Sequence, residues 1–145
     1  MPALDRYHHV VRAALVKDGW TITHDPLTLE LEGDRLFADL GAERLLSAEK
    51  GTRKIAVEVK TFRGPSPLTD LQEAMGQYLA YRILLRRIDP ERELFIAVPQ
   101  DVLTTLFRRP VGEGFLTEER GKVFGYDIIN EEVVEWIPND TTTTP

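Results

Sequence analysis

Apolar residues recur at Leu4, Tyr7, Val10, Val11, Ala14 and Leu15, which predicts a first helix with one buried stripe. Gly19 stops it at the usual place. Trp20 to Thr23 reads as a short extended piece before the His24-Asp25-Pro26 turn. The pattern then switches to alternation. Leu27, Leu29 and Leu31 share one face of a strand over 27–32, and Phe37 and Asp39 share a face of a second over 35–40. Gly33-Asp34 between them is a hairpin signal. Residues 41–53 are polar with Leu45 and Leu46 inside, which predicts a short helix or a long loop. The clearest strand is Lys54 to Phe62, with Ile55, Val57 and Val59 on one side and Ala56, Glu58 and Lys60 on the other.

Gly64-Pro65 breaks that strand, and Ser66 followed by Pro67 begins a long helix. Leu71, Ala74, Met75, Tyr78, Arg82 and Leu85 trace its inner stripe, and it ends near Arg87, before Asp89-Pro90. A strand over 93–98 stops at Pro99. A helix over 100–109 turns Val102, Leu103, Leu106 and Phe107 inward. Segments 122–129 and 132–137 read as late strands. The alternation of helices and strands predicts an α/β fold with a central mixed β-sheet flanked by helices. It reads as a single domain over 1–138 with a flexible tail over 139–145.

Composition narrows the chemistry. The 145 residues contain no cysteine, which excludes disulfides, thiolate metal sites and a cysteine nucleophile. No segment has the build of a signal peptide or the length of a membrane span, so a cytoplasmic location and no membrane partner are expected. The net charge of -6 argues against strong unaided contact with DNA phosphates. Arg82, Arg86, Arg87, Arg108 and Arg109 form either a local basic patch or ordinary solvated surface.

Glu58 and Lys60 stand two apart on a strand, so both side chains emerge from one face. In hydrolysis of a phosphodiester, Glu58 would bind Mg²⁺ or Mn²⁺, with Lys60 beside the attacking water or the phosphate. Asp39 on the preceding strand would be the second metal ligand, and Glu43 competes for that place because Asp39 is far from Glu58 in sequence. By itself a Glu-x-Lys is equally a surface ion pair. The long helix adds Glu73, Gln77 and Tyr81 in one row, where Gln77 and Tyr81 could support the metal carboxylates or touch a phosphate. Gly76 beside the row would allow close approach to the sheet. His8 and His9 on the first helix are either solvent-facing or additional site residues, and His24 reads as structural.

The combination of hairpin, aspartate, Glu-x-Lys strand and following helix resembles the PD-(D/E)xK nuclease superfamily. Gln77-Tyr78-Leu79-Ala80-Tyr81 is similar to the Gln-x-x-x-Tyr element of its RecB-like branch. Ala38 to Glu43, Lys54 to Phe62, Gly76-Gln77-Tyr78 and Val134 to Ile137 resemble the XisH family. Ala38 stands where the superfamily pattern has proline.

The resemblance implies a restriction-endonuclease-like core with Asp39, Glu58, Lys60 and Gln77 as catalytic residues. It implies an accessory or controlling factor for site-specific excision of the fdxN element in cyanobacterial heterocyst development. An XisI-like protein is the partner it suggests, with DNA contacted in that partner's company. An active Mg²⁺-dependent endonuclease and a toxin/antitoxin-like module acting through a partner are the alternatives. Glu132 to Ile137 is a candidate sheet edge for that partner or for a homodimer.

Overall fold

The computed structural model describes residues 3–36 and 45–139. Helix α1 (Ala3–Lys17) buries Tyr7, Val10, Val11, Ala14 and Leu15 of the expected stripe, the last four almost fully. Strand β1 (Thr21–His24) follows. Strands β2 (Leu29–Leu31) and β3 (Asp34–Leu36) form a separate two-stranded sheet. Leu31 pairs with Asp34, so the turn is Glu32-Gly33, one residue earlier than the sequence suggested. Both turn residues have positive φ, 48° and 93°, as a tight two-residue hairpin requires. The later part of the expected second strand, with Phe37 and Asp39, lies outside the described residues.

Residues 45–50 are not loop or helix but strand β4 (Leu45–Lys50). Leu45, Leu46, Ser47 and Ala48 are all buried, because this strand is covered on both faces. A doubly buried strand shows no alternation, and that hid it among polar neighbours. Strand β5 (Arg53–Val59) pairs antiparallel with β4, and helix α2 (Pro67–Ile88) follows. The Ser66 side chain accepts from the Thr69 N–H, so the expected cap and Pro start are in place.

Strand β6 (Glu93–Pro99) lies parallel to β5. Helix α3 (Gln100–Thr105), a 3-10 turn (Leu106–Arg108) and helix α4 (Pro110–Thr117) then lead to β7 (Val123–Asp127) and β8 (Glu132–Ile137). The sheet order is β1-β4-β5-β6-β7-β8, a mixed six-stranded sheet with helices on both faces.

One core layer joins α1 to Leu46, Ile55, Val57, Val59, Phe95 and Phe124. The other joins α2 and α4 to Leu45, Ala56, Ile96 and Val123, with the β2–β3 hairpin packed against it. Ile55, Val57 and Val59 thus face α1 while Ala56 faces α2, as alternation along β5 predicts. Trp136 of β8 closes the first layer, with its ring centroid 4.6 Å from Phe124 and 5.0 Å from Phe95. Among the described residues, no helix is long and apolar enough to cross a membrane.

Candidate active site

The sheet carries three parallel neighbours, β5, β6 and β7, and ligands of such sheets sit beyond the carboxyl ends of the strands. Glu58 and Lys60 stand at that end of β5. Glu58 pairs across to Leu45 on one side and Ile96 on the other, so it lies in the middle of the sheet rather than on an edge. The Lys60 N–H donates to the Ala97 carbonyl at 2.9 Å, which carries the strand direction past its formal end.

Neither side chain is on a solvated face. Glu58 is 1% exposed and Lys60 5%, so a simple surface ion pair is excluded for them. Burying a carboxylate and an ammonium is costly unless other groups meet them. One such group is on α2. The Lys60 ammonium donates to the Gln77 Oε1, across the layer between β5 and the helix. Gln77 itself is exposed along the helix and reaches inward by its amide. Tyr81, one turn on, is buried in the core beside Leu84 and Leu85. Glu73 remains exposed. Gly76 is exposed as well, and a Cβ there would meet nothing within 4 Å, so it does not serve a close approach to the sheet.

The structure adds groups that sequence reasoning missed. The Tyr126 hydroxyl, on β7, donates to the Lys60 carbonyl at 3.1 Å, and burial raises its pKa well above the ordinary tyrosine value. It therefore remains a proton donor holding the chain at Lys60. Arg63 donates to the Tyr7 hydroxyl at 3.1 Å, tying the segment after β5 to α1. Phe62 takes φ 56°, a left-handed conformation that is uncommon for a bulky residue, and its ring meets Phe107 edge-on at 6.2 Å. Strain of this kind clusters at functional sites. Beside it lies a cavity of about 190 Å³ lined by Lys60, Phe62, Arg63, Asp70 and Glu73. The only sequence cue to this turn was Gly64-Pro65 after the strand.

Asp39 and Glu43, the two candidates for a second carboxylate, lie outside the described residues. Among the described residues no group of three or more His, Asp or Glu side chains is arranged to hold a metal ion. His8 is elsewhere: its Nε2 lies 2.9 Å from an Asp25 carboxylate oxygen, and Arg12 pairs with the same carboxylate. Burial pushes the Asp25 pKa up, but His8 and Arg12 outweigh it and hold the carboxyl below the usual range. His9 is exposed, and His24 lies 3.2 Å from the Thr23 hydroxyl.

A family model described as XisH protein matches residues 1–134. The chain belongs to the XisH family. No curated protein matches it, but two solved structures do. An XisH family protein from Nostoc punctiforme PCC 73102 is 40% identical with a TM-score of 0.83, over 91% of this chain and 98% of that one. An fdxN element excision controlling factor protein from Anabaena variabilis is 39% identical with a TM-score of 0.83, over 92% of this chain and 98% of that one. At these identities the XisH fold of the relatives is the fold described above.

Proposed function

We propose that this XisH protein is a controlling factor for excision of a DNA element, as its Anabaena variabilis relative is named. It would act through a metal-dependent site of the PD-(D/E)xK type built on Glu58, Lys60 and Gln77. The observation that carries this reading is the buried Glu58 and Lys60 at the carboxyl end of a central strand, with Gln77 of α2 reaching across to the ammonium. A solvated ion pair needs none of these features. The following helix supplies the amide that fixes the lysine, which is the role the Gln-x-x-x-Tyr row would have.

The residues fit a hard divalent cation in part. Mg²⁺ takes one or two carboxylates and keeps several waters, so Glu58 with one carboxylate from the segment before β4 is a sufficient protein set. Asp39 and Glu43 lie six and two residues before Leu45, and Leu45 pairs with Glu58. When bound, Mg²⁺ or Mn²⁺ would acidify a water and neutralise charge on a phosphate. Lys60, held by Gln77 through its side chain and by Tyr126 through its carbonyl, would place a positive charge at the phosphate. Arg63 on the cavity wall would add a second.

The chain's net charge of -6 favours a role beside a protein partner, here an XisI-like protein, over a free-standing nuclease. The test is cleavage of supercoiled plasmid in Mg²⁺ or Mn²⁺, by wild type and Glu58→Ala, with and without that partner. Cleavage only in the complex, lost with Glu58→Ala, supports the controlling-factor reading. Cleavage by the protein alone turns it into a free-standing endonuclease, and none under any condition removes the metal-dependent site.

A further inference from the structure

At the other end of the parallel strands lies a larger cavity of about 470 Å³, between α2, the start of β6 and the turn before β7. Its lining holds five cationic residues, Arg82, Arg86, Arg92, Arg120 and Lys122, against three carboxylates, Glu93, Glu118 and Glu119. Glu93 is level with Ile55 on the neighbouring strand, and Lys60 is five residues further on, so the two sites are roughly 16 Å apart along the sheet. In a chain of net charge -6 this gathering of cations is a local reversal of sign.

Glu93 holds Lys122 and Asp89 holds Arg92, but among the described residues Arg82, Arg86 and Arg120 make no ion pair with Glu118, Glu119 or any other carboxylate. Glu93 is matched by Lys122 at 2.9 Å and by Arg53 at 3.0 Å. Arg82 donates from Nη1 to the Glu119 carbonyl at 3.1 Å and stacks over the Tyr78 ring at 5.5 Å, which fixes its guanidinium. Its Nε–H is buried and has no acceptor. Arg86 is one helical turn along on the same side of α2, and Arg120 stands across the cavity. Among the described residues neither guanidinium makes an ion pair or hydrogen bond. Two like charges at this spacing on a helix repel, and a third across from them adds to the cost. An anion between them removes that repulsion.

We infer that this cavity, lined by Arg82, Arg86 and Arg120, binds a phosphate group at a site separate from Glu58 and Lys60. Guanidinium forks match the paired oxygens of a phosphate. The volume also suits a ligand the size of a mononucleotide. The group could belong to a free nucleotide or to a nucleic-acid backbone, and the chemistry of recognition is shared.

The test is melting of the full chain with inorganic phosphate against sodium chloride at matched ionic strength, then with AMP and with a short DNA duplex. Wild type is expected to rise saturably in phosphate. Arg86→Gln with Arg120→Gln, both exposed positions, is expected to weaken apparent affinity about tenfold or more while circular dichroism stays unchanged. Glu58→Ala is expected to keep the phosphate response, which separates this site from the metal-dependent one. A stronger response to AMP than to duplex assigns the group to a free nucleotide; the reverse assigns it to a backbone. No saturable rise in wild type, or an equal rise in the double variant, overturns the inference.

Discussion

Replacing Gln77 by alanine removes an α2 amide that accepts from the buried Lys60 ammonium. A hydrogen bond to a charged group contributes about 1.5–3 kcal/mol. Gln77 is exposed, so its removal also lets water approach the ammonium, which places the expected loss near the lower end, about 1.5 kcal/mol. For a chain of this length that is a fall of roughly 5 °C in melting midpoint. Alanine is the better helix former by a few tenths of a kcal/mol, and that gain opposes the loss. Gln72→Ala, an exposed glutamine of the same helix, carries the same gain without the lost bond and is the control. Urea unfolding of wild type, both single variants, Lys60→Met and the Lys60→Met/Gln77→Ala pair completes a double-mutant cycle. Gln77→Ala should cost about 1.5 kcal/mol in the wild-type background and close to nothing beside Lys60→Met. Equal effects of Gln77→Ala and Gln72→Ala, or an unchanged cost beside Lys60→Met, would refute the reasoning.

Three further outcomes follow from the packing and charges. Phe124→Ala, at a fully buried ring between Phe95 and Trp136, should cost about 3–5 kcal/mol in urea unfolding and change the tryptophan emission. Gly112→Ala should cost about 1–3 kcal/mol, because a Cβ there meets the Leu106 carbonyl oxygen and the Phe107 Cα at 2.6 Å, both backbone atoms. Burial pushes Asp89 and Glu93 up, but Lys54 and Arg92 hold the first, and Lys122 and Arg53 the second, below their ordinary pKa. Depressed folded-state values mean the stabilisation is present above the unfolded pKa of about 4 and is lost as pH falls through the folded values. Urea midpoints should therefore drop below about pH 4, and less steeply in Asp89→Asn.

How much of this was legible in the sequence depended on whether each element shows one face or two. Strand β5 was plain because it alternates, and its alternation put Glu58 and Lys60 on the α2 side. Helix α2 was plain from its cap and stripe, and the four-residue row through Gln77 brought that amide to Lys60. Strand β4 was not, since Leu45 to Ala48 are enclosed on both sides and have no period to read. Helix α4 escaped as well: Pro110 to Thr117 holds two glycines, and Gly112 is there because α4 crosses the backbone of the preceding turn closely. Tyr126 and Arg63 act through contacts with Lys60 and Tyr7, 66 and 56 residues away in sequence, which no local pattern carries. The edge position of β8 was read correctly, and the strand also packs Trp136 against the core.

Calorimetric titration of Mn²⁺ into wild type and Glu58→Gln tests the proposal that Glu58 ligates a divalent metal at the end of β5. The carboxamide keeps the shape of the side chain and removes its charge, and circular dichroism checks that the fold is kept. Saturable binding to wild type that disappears in Glu58→Gln is the predicted result. No binding to wild type, or the same binding in both proteins, would contradict it.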